Sequence, residues 1–548
     1  MCLVLPPNSF IILRRAILSY KPDRLLKPTN SARLRADNHL FGCASNNSMN
    51  QPLPNIYRVF RWLVRGLLTL FFREIRCRGA DRVDIGSGGL VIAWHPNGLI
   101  DPALIFSFFP GRIVFGARHG LFEWPLLGRL FRAIGTVPIY RASDDSNQSR
   151  SERYHANQES LDALATEVAS GSFSALFPEG LSHDQPHLSQ IKTGAARLYL
   201  RALSISDSGN ATPVIIPVGL FYDAKNIFRS RALVLFHDPI EIPEELLSVA
   251  VTSGDKSRER ERIDELTRLI KDSLAEASRV TENWELHELM HRTRKLVRAE
   301  RAFRADEQLK RPDIEEFEAG FSRVWYAYQV RNKDAKHKTD LLIEKISNYD
   351  KRLRSAGLED HELSEKSQLM SVTWITLVIA QLFMLYIFLP PILIVGYVIN
   401  IVPYFVIHLV DQRYSKAEKD GASIKLMVGS VIFPVFWVGT GLLAVFTRYQ
   451  LSSVFPNIPV SPGFTFWITI LFAVVGGFLA LRYTELSKDL IRSVKIRLTK
   501  TRRRAIVQDL RKSRSDIFDE LMEMSTDLNL PGFVIESGRV STSEPDVS

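Results

Sequence analysis

The sequence is poor in cysteine. Only Cys2, Cys43 and Cys77 occur among 548 residues, and no two of them form a C-x-x-C pair. This scarcity excludes a disulfide framework and a cysteine-based zinc module, and it is compatible with a catalytic part that faces a reducing cytosol.

The first 48 residues lack the basic start, apolar core and small-residue cleavage site of a secretory signal. They are rich in Arg, Asn and Ser, and residues 1–48 are predicted to be a poorly ordered extension. Met49 directly precedes a segment that resembles a natural beginning, so a start at Met49 is a hypothesis. Recovery of earlier residues by N-terminal sequencing would exclude it.

Charged residues are missing from residues 371–410. Because roughly 20 apolar residues cross a bilayer, this stretch predicts two membrane spans joined by a turn at Pro390 and Pro391. Uncharged runs at 426–447 and 463–481 predict two more spans, which gives four transmembrane helices. A pair of re-entrant hairpins is the alternative.

Most of the net charge of +10 lies in one segment. Residues 484–514 carry eleven Lys or Arg against three acidic residues, a net of 11 − 3 = +8. Because this segment follows a membrane helix, it is predicted to lie on anionic lipid headgroups, and nucleic acid is not an expected partner. Loop 411–425 has four basic residues and loop 448–462 has one, so the positive-inside rule predicts that the catalytic domain and the C-terminus face the cytosol. The membrane would be a bacterial inner membrane or the endoplasmic reticulum.

Short β-branched runs alternate with amphipathic stretches between residues 85 and 250, which predicts an α/β domain with a mixed sheet flanked by helices. Before it, Arg58, Arg61 and Arg65 recur at helical spacing among apolar residues. This pattern predicts an interfacial helix whose arginines reach lipid headgroups, or alternatively a helix packed on the domain's own core. The predicted order is an extension at 1–48, an interfacial helix at 55–74, the α/β domain at 85–250, a charged region of solvent-exposed helices at 253–369, a C-terminal four-helix transmembrane region at 371–481, and a basic juxtamembrane helix with a disordered tail at 484–548.

The strongest chemical signal is the stretch VIAWHPNGLIDPALIF at 91–106. An apolar strand is predicted to end at His95, and a helix to begin at Asp101 and Pro102. An imidazole at a strand end, with a nearby carboxylate to fix its tautomer, has the composition of a general base. Asp101 could alternatively be an ordinary helix cap. The chain lacks a G-x-S-x-G nucleophile elbow, so the hydroxyl that His95 activates is expected to belong to the substrate.

Further blocks follow in a defined order. They are FGARHG at 115–120, GTVPIYR at 135–141, LFPEGLSHD at 176–184, IKTGAA at 191–196 and VIIPVGL at 214–220. Together with HPNGLIDP, these blocks resemble the glycerolipid acyltransferase family, and their wording is most similar to the fungal-type glycerol-3-phosphate/dihydroxyacetone-phosphate acyltransferases and their bacterial relatives. The common family motif has four residues between its His and Asp, whereas five lie between His95 and Asp101 here.

This resemblance implies that His95 deprotonates the acceptor hydroxyl, which attacks a thioester directly, and that Asp101 orients His95. It implies that Arg141 grips the acceptor phosphate. Further candidates for the acceptor or its phosphate are Arg118, Glu179, Gly180 and Lys192. The expected reaction moves an acyl group from acyl-CoA or acyl carrier protein to the sn-1 hydroxyl of glycerol 3-phosphate, and possibly of dihydroxyacetone phosphate, without cofactor or metal. Lysophosphatidic acid is the alternative acceptor.

Two other functions compete with this reading. His287, Glu288 and His291 fit H-E-x-x-H, in which two histidines bind zinc and the glutamate is the base of a metalloprotease. The charged face that follows suits solvent better than a metal cleft. A non-catalytic lipid-binding scaffold is the other alternative, and the joint presence of the candidate catalytic residues argues against it.

Overall fold

The computed structural model describes residues 54–123, 125–140, 150–206, 211–247, 256–307, 309, 311–364, 372–414, 418–452, 454, 461–534 and 540–541. Its first part contains α1 (Asn55–Phe71), β1 (Glu74–Arg78), β2 (Gly89–Ala93), α2 (Ile100–Phe108), β3 (Ile113–Arg118), α3 (Pro125–Ala133), β4 (Val137–Ile139), α4 (Arg150–Ala169), β5 (Phe173–Leu176), α5 (Gly194–Ile205), β6 (Val214–Tyr222), β7 (Arg231–Phe236) and α6 (Glu244–Leu247), with 3₁₀ turns at Ala80–Arg82 and His119–Leu121. The second part contains α7 (Lys256–Ala277), α8 (Trp284–Arg304), α9 (Ile314–Asp334), α10 (Lys336–Ser355), α11 (Asp360–Ser364), α12 (Val372–Phe383), a π-helix (Met384–Phe388), α13 (Leu389–Tyr414), α14 (Glu418–Ser452), α15 (Pro462–Arg502), α16 (Arg504–Ser525), β8 (Phe533–Val534) and β9 (Val540–Ser541).

A mixed sheet of seven strands, in the order β1-β7-β6-β2-β5-β3-β4, forms the centre of the first part. Its neighbouring strands are parallel except for the antiparallel pair β6–β7. Side chains of β2 alternate between two cores: Val91 packs on the side of α1 and α2, and Leu90 on the side of α4, α5 and α7. Because both faces are covered, β2 is apolar throughout. The predicted α/β domain with a mixed sheet flanked by helices is confirmed.

Helix α1 has one buried and one exposed apolar face. Tyr57 and Leu68 are buried against the domain, whereas Trp62 is 72% exposed. The expectation that the arginines reach headgroups is wrong for two of them. Arg61 donates to the Gly111 carbonyl at 2.6 Å, and the Arg65 guanidinium lies 4.8 Å from the Phe108 ring centroid. Both arginines lie on the side of the helix that packs on the protein. There Arg61 donates to a carbonyl and Arg65 contacts an aromatic ring.

Helices α8 to α11 are not separate solvent-exposed rods, contrary to the prediction for the charged region. Together with α16 they enclose an apolar core, in which Leu296, Leu353, Leu363 and Leu510 are almost completely buried. Fully burying one such side chain contributes about 1.5–3 kcal/mol, so this layer has its own source of stability. The hydrophobic residues are spread among many charges, which hid them in the sequence.

The apolar region contains three helices within the described ranges that are long and apolar enough to cross a membrane: Leu393–Arg413, Gly421–Ser452 and Pro462–Arg502. The fourth apolar helix, Thr376–Phe388, is shorter. The predicted turn at Pro390 and Pro391 is wrong, because residues 372–414 are continuously helical. Both prolines fall in the first turn of α13, directly after the π-helix. A π-turn shifts the hydrogen-bond pattern, which helps a helix to accommodate proline.

The basic segment after the apolar region is helical, and part of its charge is used inside the protein. Arg492 pairs with Glu359 at 2.7 Å, and Arg511 donates to the Leu363 carbonyl at 2.6 Å. Arg514 is completely buried. The prediction that this segment lies on lipid headgroups is therefore wrong for Arg514.

Candidate active site

Three parallel strands bring the candidate residues to one edge of the sheet. Strand β2 is parallel to both β5 and β6. His95 follows the end of β2, Glu179 follows the end of β5, and Tyr222 is the last residue of β6. Since the carboxyl ends of neighbouring parallel strands lie together, this edge is the usual place for a ligand site in such sheets.

His95 and Asp101 form a hydrogen-bonded pair. His95 Nδ1 lies 2.9 Å from Asp101 Oδ2, and the two side chains are 12% and 0% exposed. The five intervening residues thus still bring the imidazole and the carboxylate into contact. Asp101 lies in the first turn of α2 rather than before it, and its Oδ2 accepts the backbone N–H of Asn97 at 2.7 Å. Its carboxylate holds the preceding loop rather than capping the helix.

The neighbours of Asp101 determine the proton positions of His95. An ionised carboxylate only accepts hydrogen bonds, so His95 Nδ1 carries the proton that reaches Asp101. Asp101 Oδ1 also accepts from the Tyr222 hydroxyl. Burial, followed by the charge and hydrogen bond of Asp101, raises the pKa of Tyr222 well above its ordinary value, which keeps this donor protonated. His95 Nε2 therefore keeps its lone pair and can accept a proton.

Sequence reasoning missed two residues that hold His95 in place. The His95 ring stacks on Phe177 with a centroid distance of 4.0 Å and an interplanar angle of 17°. Tyr222 reaches Asp101 from a strand 121 residues away in the chain. Phe177 lies in the FPEG block, and Tyr222 directly follows VIIPVGLF, so their positions beside recognised blocks were the available signal.

Glu179 is completely buried. Its Oε1 lies 2.6 Å from His183 Nε2 and accepts the Ser189 backbone N–H at 2.6 Å. Its Oε2 has no hydrogen-bond partner among the described residues. A buried acceptor without a partner is costly, so this oxygen is suited to a substrate hydroxyl.

Gly180 has φ +70°, a conformation that favours glycine. A side chain at this position would also lie 2.9 Å from Lys192 Nζ, so glycine leaves room for the lysine amine. Lys192 is exposed, and its backbone N–H donates to the Pro178 carbonyl at 2.9 Å. Gly180 and Lys192 thus lie next to each other beside Glu179.

The other two phosphate candidates are less defined. Arg118 is the last residue of β3. Its side chain lies outside the described part of the structure, as does the whole of Arg141. Their roles in phosphate binding stay predictions.

Helix α14 contacts the candidate catalytic loop directly, which the sequence did not reveal. The Ser423 hydroxyl accepts the Leu99 backbone N–H at 3.0 Å, and Ala422 is fully buried in the core that α1 and α2 share. Lys425 donates to the Asn226 carbonyl at 3.3 Å and pairs with Asp411 at 3.2 Å. The end of an apolar helix thus fixes the loop between His95 and Asp101.

Replacing Ser423 by alanine is expected to lower kcat about 2- to 10-fold, since a hydrogen bond of this kind is worth about 0.5–1.5 kcal/mol. Ser423→Thr should restore the rate, because the hydroxyl alone satisfies Leu99. KM should change little. Ser430→Ala is the matched control, since the Ser430 hydroxyl bonds within its own helix at Met427. Equal losses in the two alanine variants would contradict a positioning role for Ser423.

The H-E-x-x-H segment brings two histidine nitrogens together but has no third metal ligand among the described residues. His287 and His291 lie with their Nε2 atoms 3.2 Å apart, and His291 stacks on Phe321. Burial lowers the pKa of His287 to about 4. Glu288 is exposed and faces Arg354 at 3.5 Å. Within the described residues, no group of three or more His, Cys, Asp or Glu side chains is arranged to hold a metal ion.

Two stretches of the chain match family models of known proteins. Residues 74–220 match the family model described as Acyltransferase, and residues 304–529 match the model described as Glycerol-3-phosphate acyltransferase 2 C-terminal domain. The first match includes β2 and β5 with the residues His95 and Glu179 that follow them, and the second includes most of the helical layer.

Among curated relatives, the chain is 22% identical over 538 residues to an uncharacterized acyltransferase of Schizosaccharomyces pombe, covering 80% of this chain and 76% of the relative. It is 23% identical over 555 residues to glycerol-3-phosphate O-acyltransferase 1 of Saccharomyces cerevisiae, covering 86% and 71%. A solved lysophosphatidic acid acyltransferase, PlsC from Thermotoga maritima, aligns with 49% of this chain and 89% of that chain at 14% identity and a TM-score of 0.27. The resemblance seen in the motifs is thereby confirmed: the chain is an acyltransferase enzyme in which a match to the Acyltransferase model precedes a match to the Glycerol-3-phosphate acyltransferase 2 C-terminal domain model.

Proposed function

We propose that this membrane protein transfers a fatty acyl group from a thioester to the sn-1 hydroxyl of glycerol 3-phosphate. The observation that carries the proposal is the His95–Asp101 pair at 2.9 Å, which leaves His95 Nε2 free at the edge of the sheet. The printed name of the Saccharomyces cerevisiae relative supports this acceptor. Dihydroxyacetone phosphate is a second acceptor of the same chemistry.

The chemistry proposed for the pair is direct acyl transfer. His95 Nε2 removes the proton of the acceptor hydroxyl while its oxygen attacks the thioester carbonyl. The carbon–sulfur bond then breaks, and the thiol of the donor leaves with the proton returned from His95. Asp101 stabilises the imidazolium that forms in between. The donor is acyl-CoA or acyl carrier protein, and no cofactor is required.

The acceptor phosphate needs cations near Glu179. Lys192 supports this role by its position over Gly180, and Arg118 and Arg141 remain candidates from the resemblance. A guanidinium matches phosphate bidentately, so Arg141 would give the larger share of the affinity. Glu179 Oε2 would accept a hydroxyl of the same glycerol.

We also propose that the catalytic domain and the C-terminus face the cytosol. The basic loop 411–425 and the weakly charged loop 448–462 support this orientation through the positive-inside rule. Arg502, Arg503 and Arg504 are exposed and could lie on anionic headgroups. The anionic leaflet is then a partner of this exposed part of the basic segment.

An acceptor panel tests the function. The full chain in phosphatidylcholine nanodiscs would receive one radiolabelled acyl-CoA with glycerol 3-phosphate, dihydroxyacetone phosphate or lysophosphatidic acid. We expect lysophosphatidic acid as the product from glycerol 3-phosphate, with the His95→Ala variant as the background. Transfer to lysophosphatidic acid alone would overturn the proposed acceptor in favour of the alternative.

A further inference from the structure

A cavity lies within the C-terminal helical layer, separate from the His95 site. It is enclosed by α8, α9, α10 and α16 and holds about 1070 Å³ of empty space, part of it open to solvent. Most of its wall is apolar, including Leu289, Val297, Ile346, Met522 and Met524. A mostly apolar wall with a few polar groups is typical of ligand sites, and methionines adapt to flexible apolar chains.

Two arginines in this wall, Arg294 and Arg301, contact neither a carboxylate nor a backbone carbonyl through their side chains among the described residues, whereas Arg323 donates to the Gly532 carbonyl at 2.8 Å. Arg294 is 5% exposed, and its Nε has no hydrogen-bond partner among the described residues. Its guanidinium carbon lies over the Phe317 ring, 3.9 Å from the centroid. Arg301 lies about two helical turns further along α8. Among the described contacts, its guanidinium has only the Met522 sulfur as a partner, at 3.9 Å. Nearby arginines differ: Arg298 pairs with Glu316 at 2.7 Å.

The sequence makes room for this arrangement. Gly320 lies inside α9, and a side chain there would approach the Arg294 stem to 3.0 Å. A glycine inside a helix is unfavourable, so its presence has a structural use here. Burial, and after it the charge of a neighbouring arginine, lowers the pKa of both Arg294 and Arg301 to about 10. Both cations are nevertheless charged at neutral pH.

We propose that this cavity binds an amphipathic anion, a long acyl chain that ends in a phosphate-bearing head. Arg294 and Arg301 would contact the phosphate, as guanidinium groups match it well. The apolar wall with its methionines would take the chain. The site goes beyond the proposed function, because none of the candidate catalytic residues lines the cavity. Acyl-CoA and a membrane phosphatidic acid share this chemistry.

Dodecyl phosphate is the test probe. Its binding to the full chain in phosphatidylcholine nanodiscs would be measured by equilibrium dialysis, with empty nanodiscs correcting for partition. We expect saturable binding that Arg294→Met and Arg301→Met each weaken about 10-fold or more, since a charge-assisted hydrogen bond is lost. Dodecanol and inorganic phosphate, which carry one half of the chemistry each, should bind far more weakly.

Matched controls separate binding from folding and from catalysis. Lys295→Gln removes an exposed cation next to Arg294 and should bind the probe like the wild type. His95→Ala should also retain binding. The arginine variants should melt at the wild-type temperature or higher, because replacing an uncompensated buried charge by an apolar group relieves its desolvation. Displacement by oleoyl-CoA or by dioleoyl phosphatidic acid then identifies the source of the ligand.

Three results would overturn the site. Dodecanol could bind as tightly as dodecyl phosphate, the double variant Arg294→Met/Arg301→Met could bind as well as the wild type, or His95→Ala could abolish binding. The last result would place the probe in the catalytic site. None of these depends on acyltransferase activity, so failure of the site and failure of the proposed function are distinguishable.

Discussion

Replacing His95 by alanine is expected to lower kcat by about 10²- to 10⁴-fold, the usual contribution of a positioned general base. The imidazole is the group whose Nε2 is free while Nδ1 is held by Asp101 at 2.9 Å. Steady-state acyl transfer from a labelled acyl-CoA measures the loss. KM for the acceptor should change much less, because His95 is expected to act on the reacting proton rather than on the phosphate.

His187→Ala is the control, since it removes an exposed histidine outside the His95–Asp101 pair. It should keep the wild-type rate. The kcat of Asp101→Asn should lie between those of His95→Ala and His187→Ala. The amide keeps the shape of the carboxylate but no longer stabilises the imidazolium. Acyl transfer that survives in His95→Ala would remove the mechanism proposed here.

Replacing Arg514 by alanine is expected to destabilise the helical layer by about 3–5 kcal/mol, the cost of breaking a buried ion pair on one side. Arg514 is 0% exposed, and its Nε donates to Glu300 Oε2 at 2.8 Å. Its Nη1 donates to the Asp360 carbonyl at 2.7 Å. The variant would leave a buried carboxylate and a carbonyl without their donor.

This loss of stability is measured by heating the full chain in detergent and detecting unfolding through proteolysis of the C-terminal region. Lys512→Ala is the control, since it removes an exposed cation two residues away on the same helix. Its midpoint should match the wild type within the range of ordinary surface substitutions, about 0.5 kcal/mol. An Arg514→Ala protein as stable as Lys512→Ala would show that the buried pair does not hold α16 in place.

The sequence predicted the features that depend on local pattern. The apolar run before His95 predicted a buried strand, and β2 is that strand. The closeness of His95 and Asp101 in the sequence predicted that the imidazole and the carboxylate act together. The sequence did not predict that Asp101 also accepts the Asn97 backbone N–H. The charge-free stretches predicted apolar helices. In each case a few neighbouring residues were enough.

Contacts between distant segments were not predictable in this way. Tyr222 meets Asp101, and Ser423 meets Leu99, only because the sheet order and the docking of α14 bring them together. No pattern within a short window specifies such a partner. The turn expected at Pro390 and Pro391 failed for a related reason, since the preceding π-helix lets the helix continue through both prolines.

The apolar region begins and ends on the same helical layer, and this has a consequence for counting. Before it, Asp360 and Leu363 of α11 accept hydrogen bonds from Arg514 and Arg511 of α16, which follows it. A chain that leaves and re-enters one side of a bilayer traverses it an even number of times. The three long apolar helices therefore cannot each cross the bilayer once, because three crossings would leave α16 on the opposite side from α11. Because residues 372–414 form one continuous helix, Thr376–Phe388 is not a separate traverse, and parity requires that an even number of the three helices 372–414, 418–452 and 462–502 crosses the bilayer.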